Sequence, residues 1–406
     1  MHPWFTKTHE QLRSRIREFA RSEIAPVAAA LDAEGRFPWE NVRKLADAGL
    51  FGVAVPPEYG GLGLDYISYI LVIEELACVD ASHAITVSAH STLGASPILN
   101  FGTEEQKQRY LPLLVRGRVL GGFGLTEPAA GSDAGATRTV AIREAGGYRL
   151  NGSKIFITHA GVGEIFVVTA VTDRTRGVKG ITSFIVTKET TDRETADRVG
   201  VGHAPELEPF TPGVRSGRKE DKMGWRASDT RELILEDAFV PAGNRLGDEG
   251  RGFSNFMQTL DAGRIGIGAL SLGLAQGALD TARLVLDVPD SPARTGQGVR
   301  FALAEMATEI AAARHLVYHA AWLKENGQPF TREAAMAKLF ASELAMRVTT
   351  RAVQLLGTNG YSSEYPVERM MRDAKVCEIG EGTSEVQKLV IARSLSRDPG
   401  RAVPAG

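Results

Sequence analysis

The amino-acid sequence predicts an α+β multidomain chain: an N-terminal all-helical domain (residues 1–120), a small β domain (121–240) and a C-terminal helical bundle (241–406). Three observations carry this. At 406 residues the chain exceeds what one compact core supports. Apolar residues keep helical spacing over most of the first 120 positions and again from Gly252 onward. Between these stretches, short runs rich in β-branched residues alternate with turns.

From Thr6 to about Leu31, Leu12, Ile16, Phe19 and Ile24 recur at helical spacing, with Pro26 set to kink or end the run. Pro38 to Ala48 reads as a short helix, and the Gly- and Pro-rich stretch Gly49 to Gly63 as a loop. Ile67 to Val79 is an apolar helix with Glu74 and Glu75 on one side, followed by helices over Ala81 to Leu93 and Glu104 to Val115. Strands are expected at Thr137 to Arg143, Tyr148 to Leu150, Lys154 to Thr158, Ile165 to Val171, Thr182 to Val186 and Glu232 to Leu235. Lys188 to Ser216 is polar, has three prolines and no periodicity, so it reads as a long surface excursion. Phe253 to Leu286, Arg300 to Lys324, Arg332 to Leu355 and Ser384 to Leu395 supply the helices of a bundle. Asp398 to Gly406 is expected to fray.

With 43% apolar and 24% charged residues the composition is that of an ordinary globular protein. Lys and Arg number 47 against 49 Asp and Glu, a net charge of −2, so no bulk attraction to nucleic acid or an anionic membrane is expected. Cys78 and Cys377 are too few and too far apart for a disulfide framework, which fits a reducing compartment such as the cytoplasm. No apolar run approaches the ~20 residues of a membrane span. The N-terminus lacks a secretory core, and Glu10 and Glu18 argue against a transit peptide.

The stretch around which candidate chemistry gathers is RMMRDAKVCEIGEGTSEVQKLVIAR, Arg369 to Arg393. Glu381 stands between Gly380 and Gly382 just before a helix start, where Ser384 and Gln387 form a capping-box pattern. The glycines permit close approach of backbone to a ligand, and a desolvated carboxylate there can serve as a base near neutral pH. The same pattern also suits a glutamate that only decorates a helix N-terminus. A second candidate is GGFGLTEPAAGSDAG, Gly121 to Gly135, whose amides and hydroxyls suit a polar ring or a phosphate, or simply a turn-rich strand connection. His315 and His319 have the spacing of metal ligands but no third ligand, and read as non-metal histidines, so no metal is expected. Zinc-protease, nucleophile-elbow and GxGxxG motifs are absent.

Seven motifs together resemble the acyl-CoA dehydrogenase family over nearly the whole chain: PPEYGGLGLD (56–65), GLTEPAAGSDAG (124–135), LNGSKIFIT (150–158), KEDKMGWRASDTREL (219–233), LDAGRIGIGALSLGLAQGALD (260–280), QLLGTNGYSSEYPVERMMRDAK (354–375) and GEGTSEVQ (380–387). The resemblance implies that family's fold, with a β-barrel-like middle domain and a C-terminal four-helix bundle. It implies FAD between these two domains, a homotetramer built as a dimer of dimers, and an electron-transfer flavoprotein as electron acceptor. Phe123, Leu125, Thr126, Gly131 and Ser132 would line the flavin ring. Phe156, Ile157 and Thr158 would cover it, with Thr158 reaching N5. Gln354, Leu355 and Gly357 would contact the cofactor across a subunit boundary, and Thr383 and Glu385 would hold its diphosphate end. Ser132, Asp261, Arg264, Gly380 and Gly382 would lie near the acyl-CoA. Glu381 would be the base that takes the α-proton while the β-hydrogen leaves as hydride to the flavin, giving a trans-2-enoyl thioester. Some relatives carry the base on the long bundle helix instead, at the position held here by Gly263.

Three departures from the family pattern bear on these expectations. Where an Arg-x-x-Phe-Gly element is usual, the chain reads DVPDSPARTGQ, 287–297, so Arg294 would substitute or the FAD contact would differ. Gly380 stands where many relatives have tyrosine, which points to an α-branched or cyclic acyl group beside the short-chain one suggested by LDAGRIGIG. The 188–216 stretch is longer than usual. The rival readings are a flavin oxidase or monooxygenase on the same fold, and a non-catalytic flavin-bearing nucleic-acid-binding relative.

Overall fold

The computed structural model describes residues 4–287 and 296–396. Arg294, the candidate substitute for the missing arginine, and the C-terminal segment 397–406 lie outside them. The architecture is α+β, with helices first, one sheet in the middle and long helices last.

The first helix, Lys7–Phe19, is capped by Thr6 and continues through a π-turn, Ala20–Ile24, into Ala25–Glu34. Pro26 has no N–H, and the turn before it widens so that Ala25 bonds Ala20 O; the distortion precedes the proline rather than ending the helix. Trp39–Asp47, Tyr66–Ala77, Ala81–Ala89, Ser96–Phe101 and Glu104–Val115 follow. Every residue of Tyr66–Ala77 is buried, including both acids. Glu74 accepts from Arg314 at 2.8 Å and from the Tyr318 hydroxyl at 2.6 Å, and Glu75 accepts from Arg13 at 2.7 Å and Arg17 at 3.0 Å. A buried carboxylate persists only when paired, so the acidic side of this helix is a double ion-pair seam. It ties the first helix on one flank to the C-terminal bundle on the other.

The strands are β1 Gly121–Gly124, β2 Val140–Glu144, β3 Gly147–Thr158, β4 Ile165–Val171, β5 Ile181–Thr187, β6 Val214–Lys219, β7 Thr230–Pro241 and β8 Arg245–Leu246. They form one sheet in the order β6-β7-β3-β2-β4-β5-β8, with β1 parallel to β4. β2 meets β4 at the single pair Val140–Val171, so the sheet folds there. Its halves enclose a core of Tyr148, Leu150, Phe166, Val168, Phe184, Leu233 and Val240, which is the form the barrel-like middle takes. The two short strands expected at 148–150 and 154–158 are one strand, β3, with register shifts against β7 after Leu150 and Lys154.

The 188–216 stretch is not a loose excursion. It holds the helix Arg193–Val199 and the start of β6, and it is pinned by polar contacts: Trp39 Nε1 to Asp192 at 2.8 Å, His203 Nδ1 with Glu164 at 2.7 Å, and Thr187 N to Thr211 Oγ1 at 3.0 Å. Anchors of that kind leave no apolar period.

Helices Gly252–Leu286, Gln297–Glu325 and Thr331–Leu356 make the bundle, with Val367–Cys377 and Ser384–Leu395 laid against Thr331–Leu356. A Cβ on Gly273 would overlap Glu74 O and meet Ala77 Cβ at 2.7 Å, so this glycine sets the close crossing with Tyr66–Ala77. Val367–Cys377 is not among the expected elements, although Val367, Met370, Ala374 and Cys377 bury one face at helical spacing.

Candidate active site

Glu381 sits in the turn between Val367–Cys377 and Ser384–Leu395. Its backbone is left-handed at φ 51, and Gly382 follows at φ 94, where a side chain would strain the chain and meet Gln387 Nε2 at 2.7 Å. The helix cap is Thr383, which accepts from Val386 N at 3.3 Å, rather than Ser384. Gln387 turns its amide back to Gly382 O at 2.9 Å, so the expected capping box does not form. A Cβ added to Gly380 would meet one atom of the described residues within 4 Å, Val376 O at 3.4 Å, so there is open room beside this residue.

The carboxylate of Glu381 lies over Gly263 of Gly252–Leu286. A methyl on Gly263 would overlap Oε2 and stand 3.0 Å from Cδ. The glycine and the glutamate are complementary: the space a side chain on Gly263 would take is filled by the Glu381 carboxylate from the loop. Oε2 is buried with no hydrogen-bond partner among the described residues. Burial pushes the Glu381 pKa up to about 7, against the pull of Lys338 and then Arg264 toward the charged form. The Glu381 N–H likewise bonds no described residue.

Arg264, 1% exposed, pairs with Asp261, which also accepts from Thr331 Oγ1 at 2.6 Å; the Arg264 Nε has no partner among the described residues. Tyr66 and Tyr69, from Tyr66–Ala77, stand near enough to Glu381 that its charge helps raise both phenol pKa values, after burial. Tyr66 OH donates to Ala262 O at 2.9 Å, and Tyr69 OH to Ser88 Oγ at 3.3 Å. Lys338, fully buried, donates to Gly382 O at 2.7 Å. The sequence does not single out these two tyrosines or Lys338. Two tyrosines in an apolar run read as core, and a lysine in a helix reads as surface.

The other predicted residues form a second cluster. β1 and the turn after it, with Phe123, Leu125, Thr126, Gly131 and Ser132, lie beside β3, where Ile155 N donates to Thr126 O at 2.8 Å. Phe123 is mostly buried and stacks on Phe256 at 6.0 Å, seven residues and so about 10 Å along the helix from Gly263. The register shift after Lys154 puts Phe156 at φ 56 and leaves the residue 62% exposed, while Ile157 points into the core. The hydroxyls of Thr126, Ser132 and Thr158 bond nothing among the described residues. An exposed ring turned out by a bulge, next to unpartnered hydroxyls, fits a flat heteroaromatic group, so these residues suit the flavin. Gln354, Leu355 and Gly357 do not join this cluster: they end Thr331–Leu356, sixteen or more residues and so about 24 Å along it from Lys338. Thr383 and the exposed Glu385 stand at the start of Ser384–Leu395.

Both thiols are free, and no cluster of three or more His, Cys, Asp or Glu among the described residues could hold a metal. His319 packs between Trp4 and Trp322. No helix among the described residues is long and apolar enough to cross a membrane.

Gly263→Ala is a direct check on this geometry. The added methyl displaces the carboxylate, and misplacing a reacting group by about 1 Å costs on the order of 100-fold in rate. Alanine is also the better helix former by up to about 1 kcal/mol. The expected outcome is a rate about 100-fold lower with no loss of melting temperature, read by flavin reduction and thermal unfolding of the same sample.

Three family models match the chain: the acyl-CoA dehydrogenase N-terminal domain over residues 6–118, the middle domain over 122–238 and the C-terminal domain over 250–396. The short-chain specific acyl-CoA dehydrogenase of Clostridium acetobutylicum is 48% identical over 395 residues, 97% of this chain and 99% of that one. The structure of butyryl-CoA dehydrogenase from Megasphaera elsdenii superposes with a TM-score of 0.89 at 45% identity, covering 97% of this chain and 99% of that one. A chain in a structure described as the electron transferring flavoprotein of Acidaminococcus fermentans superposes with a TM-score of 0.91 at 45% identity, covering 98% and 100%.

Proposed function

Because the chain belongs to the acyl-CoA dehydrogenase family, we propose that it catalyses the FAD-dependent α,β-dehydrogenation of a short acyl-CoA thioester to the trans-2-enoyl-CoA. The single observation that carries the reading is the Glu381 carboxylate, set over Gly263 with its Oε2 buried and without a partner among the described residues, and poised at about 7. A thioester α-hydrogen is a weak acid. Its removal needs a base whose pKa lies near the working pH and a donor that polarises the carbonyl. Glu381 takes the α-proton. Its own N–H, free of other acceptors among the described residues, donates to the thioester oxygen as negative charge grows there. Arg264 and Lys338 keep enough positive charge nearby for the base to ionise near neutral pH. Bound FAD supplies the acceptor for the hydride that leaves the β-carbon. Phe123, Leu125, Thr126, Gly131, Ser132, Phe156, Ile157 and Thr158 hold its ring, and Thr383 and Glu385 its diphosphate end.

Tyr66 and Tyr69, buried near Glu381 and held by Ala262 O and Ser88 Oγ, would limit the chain to a short one, while the room at Gly380 would admit an α-branch or small ring. The thioester is recognised as an acyl-CoA, and electrons leave to an electron-transfer flavoprotein, as the likeness to the Acidaminococcus chain supports. Gln354, Leu355 and Gly357 reach FAD from a second subunit of a homotetramer, a dimer of dimers. Their distance from Lys338 within one chain favours that role. The two free thiols support a cytoplasmic location.

The test is turnover with a dye acceptor under nitrogen: the product is two mass units lighter than the acyl-CoA and forms without oxygen. An absolute need for oxygen would instead favour the oxidase reading. The pH profile follows from the base. Only ionised Glu381 accepts a proton, so kcat/KM rises with pH through about 7 and levels off above it. A profile flat from pH about 5 upward, as an unshifted carboxylate would give, contradicts the assignment.

A further inference from the structure

Glu381 stands on a turn that its own side chain does nothing to hold. Its backbone is in the left-handed region, Gly382 follows at φ 94, and carboxylate Oε2 has no hydrogen-bond partner among the described residues. What holds the turn is the carbonyl of Gly382. Two donors from different helices converge on it: Lys338 Nζ at 2.7 Å from Thr331–Leu356, and Gln387 Nε2 at 2.9 Å from Ser384–Leu395. Lys338 is shut away from solvent on a helix whose neighbouring Ala334, Ala337 and Ala341 are also buried, where an ammonium is costly unless it serves a fixed acceptor. It makes no salt bridge to a carboxylate among the described residues, so its charge is left to act on the Glu381 side chain next door.

We propose that Lys338 is the positioning residue of the base: its ammonium fixes the Gly382–Thr383 peptide that follows Glu381, which aims the carboxylate at the substrate, and supplies the main positive charge that lets the carboxylate ionise. The inference rests on Glu381 being the base. The other groups packed around that carboxylate contribute less. Arg264 also favours ionisation, but it shares its charge with Asp261 on the same helix. Tyr66 and Tyr69 are neutral phenols, and Cys377 and Glu378 face Lys338 from the end of Val367–Cys377. Burial lowers Lys338 itself to about 8, so it is still charged at neutral pH.

Three variants separate charge from scaffold. Lys338→Met removes charge and donor, Lys338→Gln keeps a donor for Gly382 O without charge, and Lys338→Arg keeps charge. Each FAD-loaded protein is mixed anaerobically with a four-carbon acyl-CoA at a series of pH values, and loss of flavin absorbance is followed in a single turnover. Removing a nearby cation raises the pKa of a carboxylate. The acid limb of the rate is therefore expected to move up by about one pH unit in Lys338→Met and Lys338→Gln, with Lys338→Gln recovering more of the wild-type rate at high pH. Lys338→Arg keeps the wild-type limb. If the methionine variant does not fold with FAD, the glutamine variant decides. A Lys338→Gln acid limb at the wild-type pH, whatever the fall in rate or melting temperature, overturns the proposal and leaves Lys338 a packing residue. Wild-type protein that no acyl-CoA bleaches is a different failure, that of Glu381 as the base.

Discussion

Glu381→Gln is expected to abolish flavin reduction while leaving FAD bound. The amide keeps the volume and the left-handed turn, but it cannot take a proton. A positioned base contributes about 100- to 10,000-fold, and here no second group replaces it, because Gly263 has no side chain and the Arg264 guanidinium is already protonated. Rapid mixing with acyl-CoA should show at least about a 1,000-fold slower loss of flavin absorbance, on the upper part of that range. Stability should change in the opposite direction. A carboxyl whose pKa rises from 4.5 unfolded to about 7 folded costs the native state nothing at low pH, and costs more as pH rises between those values. The variant escapes that cost. Its melting temperature relative to wild type should climb from pH about 4.5 to about 7 and stay level above. A variant that is slow but gains no stability across this window would mean that Glu381 is not desolvated in the native protein.

Lys154→Met is expected to give the largest loss of stability. Lys154 is fully buried in β3 and bonds Glu127 at 2.6 Å, Thr137 Oγ1 at 3.2 Å and Leu125 O at 3.3 Å. Glu127 also accepts from Arg138 N at 2.6 Å and from Thr139 Oγ1 at 2.6 Å. Burial works against its charge, but the ammonium and these donors outweigh burial and hold the carboxyl at about 2. Burial lowers Lys154 to about 8, so taken alone the lysine reads as a cost and the glutamate as a gain. The glutamate is the better guide, since its several fixed donors are what the variant strands. Removing one partner of such a pair costs about 3–5 kcal/mol, because the other charge stays buried. The same bonds shape the 125–132 turn, so FAD retention should fall with stability. Adding Glu127→Gln to Lys154→Met should recover part of both. Thermal unfolding and the flavin content of the purified protein measure the two effects together.

The helix, sheet, helix order was legible because the apolar runs differ in length and punctuation: Gly252–Leu286 is one long run, buried without a break from Ala262 to Ala275, whereas β4 and β5 are short β-branched runs buried almost throughout and bounded by turns. Glu381 was legible for a different reason. Flanking glycines before a helix start advertise a backbone that must turn sharply, and φ 51 at Glu381 with φ 94 at Gly382 is that turn. What stayed hidden was contact between distant positions. Lys338 and Gly382 are far apart in sequence, as are Glu127 and Lys154, and nothing local marks a lysine as buried. Glu74 and Glu75 read only as one side of an apolar helix, and their burial stayed hidden because their partners, Arg314 and Arg13, come from other helices. The cap falls one residue from its expected place because Thr383 and Ser384 are both competent caps, and only the extended backbone of Thr383 decides between them. The anchored 188–216 segment is held by polar side chains, which leave no periodic trace.

Glu381 as the base of a short-chain acyl-CoA dehydrogenase is tested most directly by one titration: anaerobic addition of straight, α-branched, cyclic and dicarboxylic acyl-CoAs to the FAD-loaded wild-type protein, with flavin absorbance as the readout. Rapid bleaching by a short acyl-CoA is predicted, with small branched or cyclic chains tolerated because of the room at Gly380, and long straight chains slower because of Tyr66 and Tyr69. FAD that stays oxidised with every acyl-CoA in the panel would contradict it.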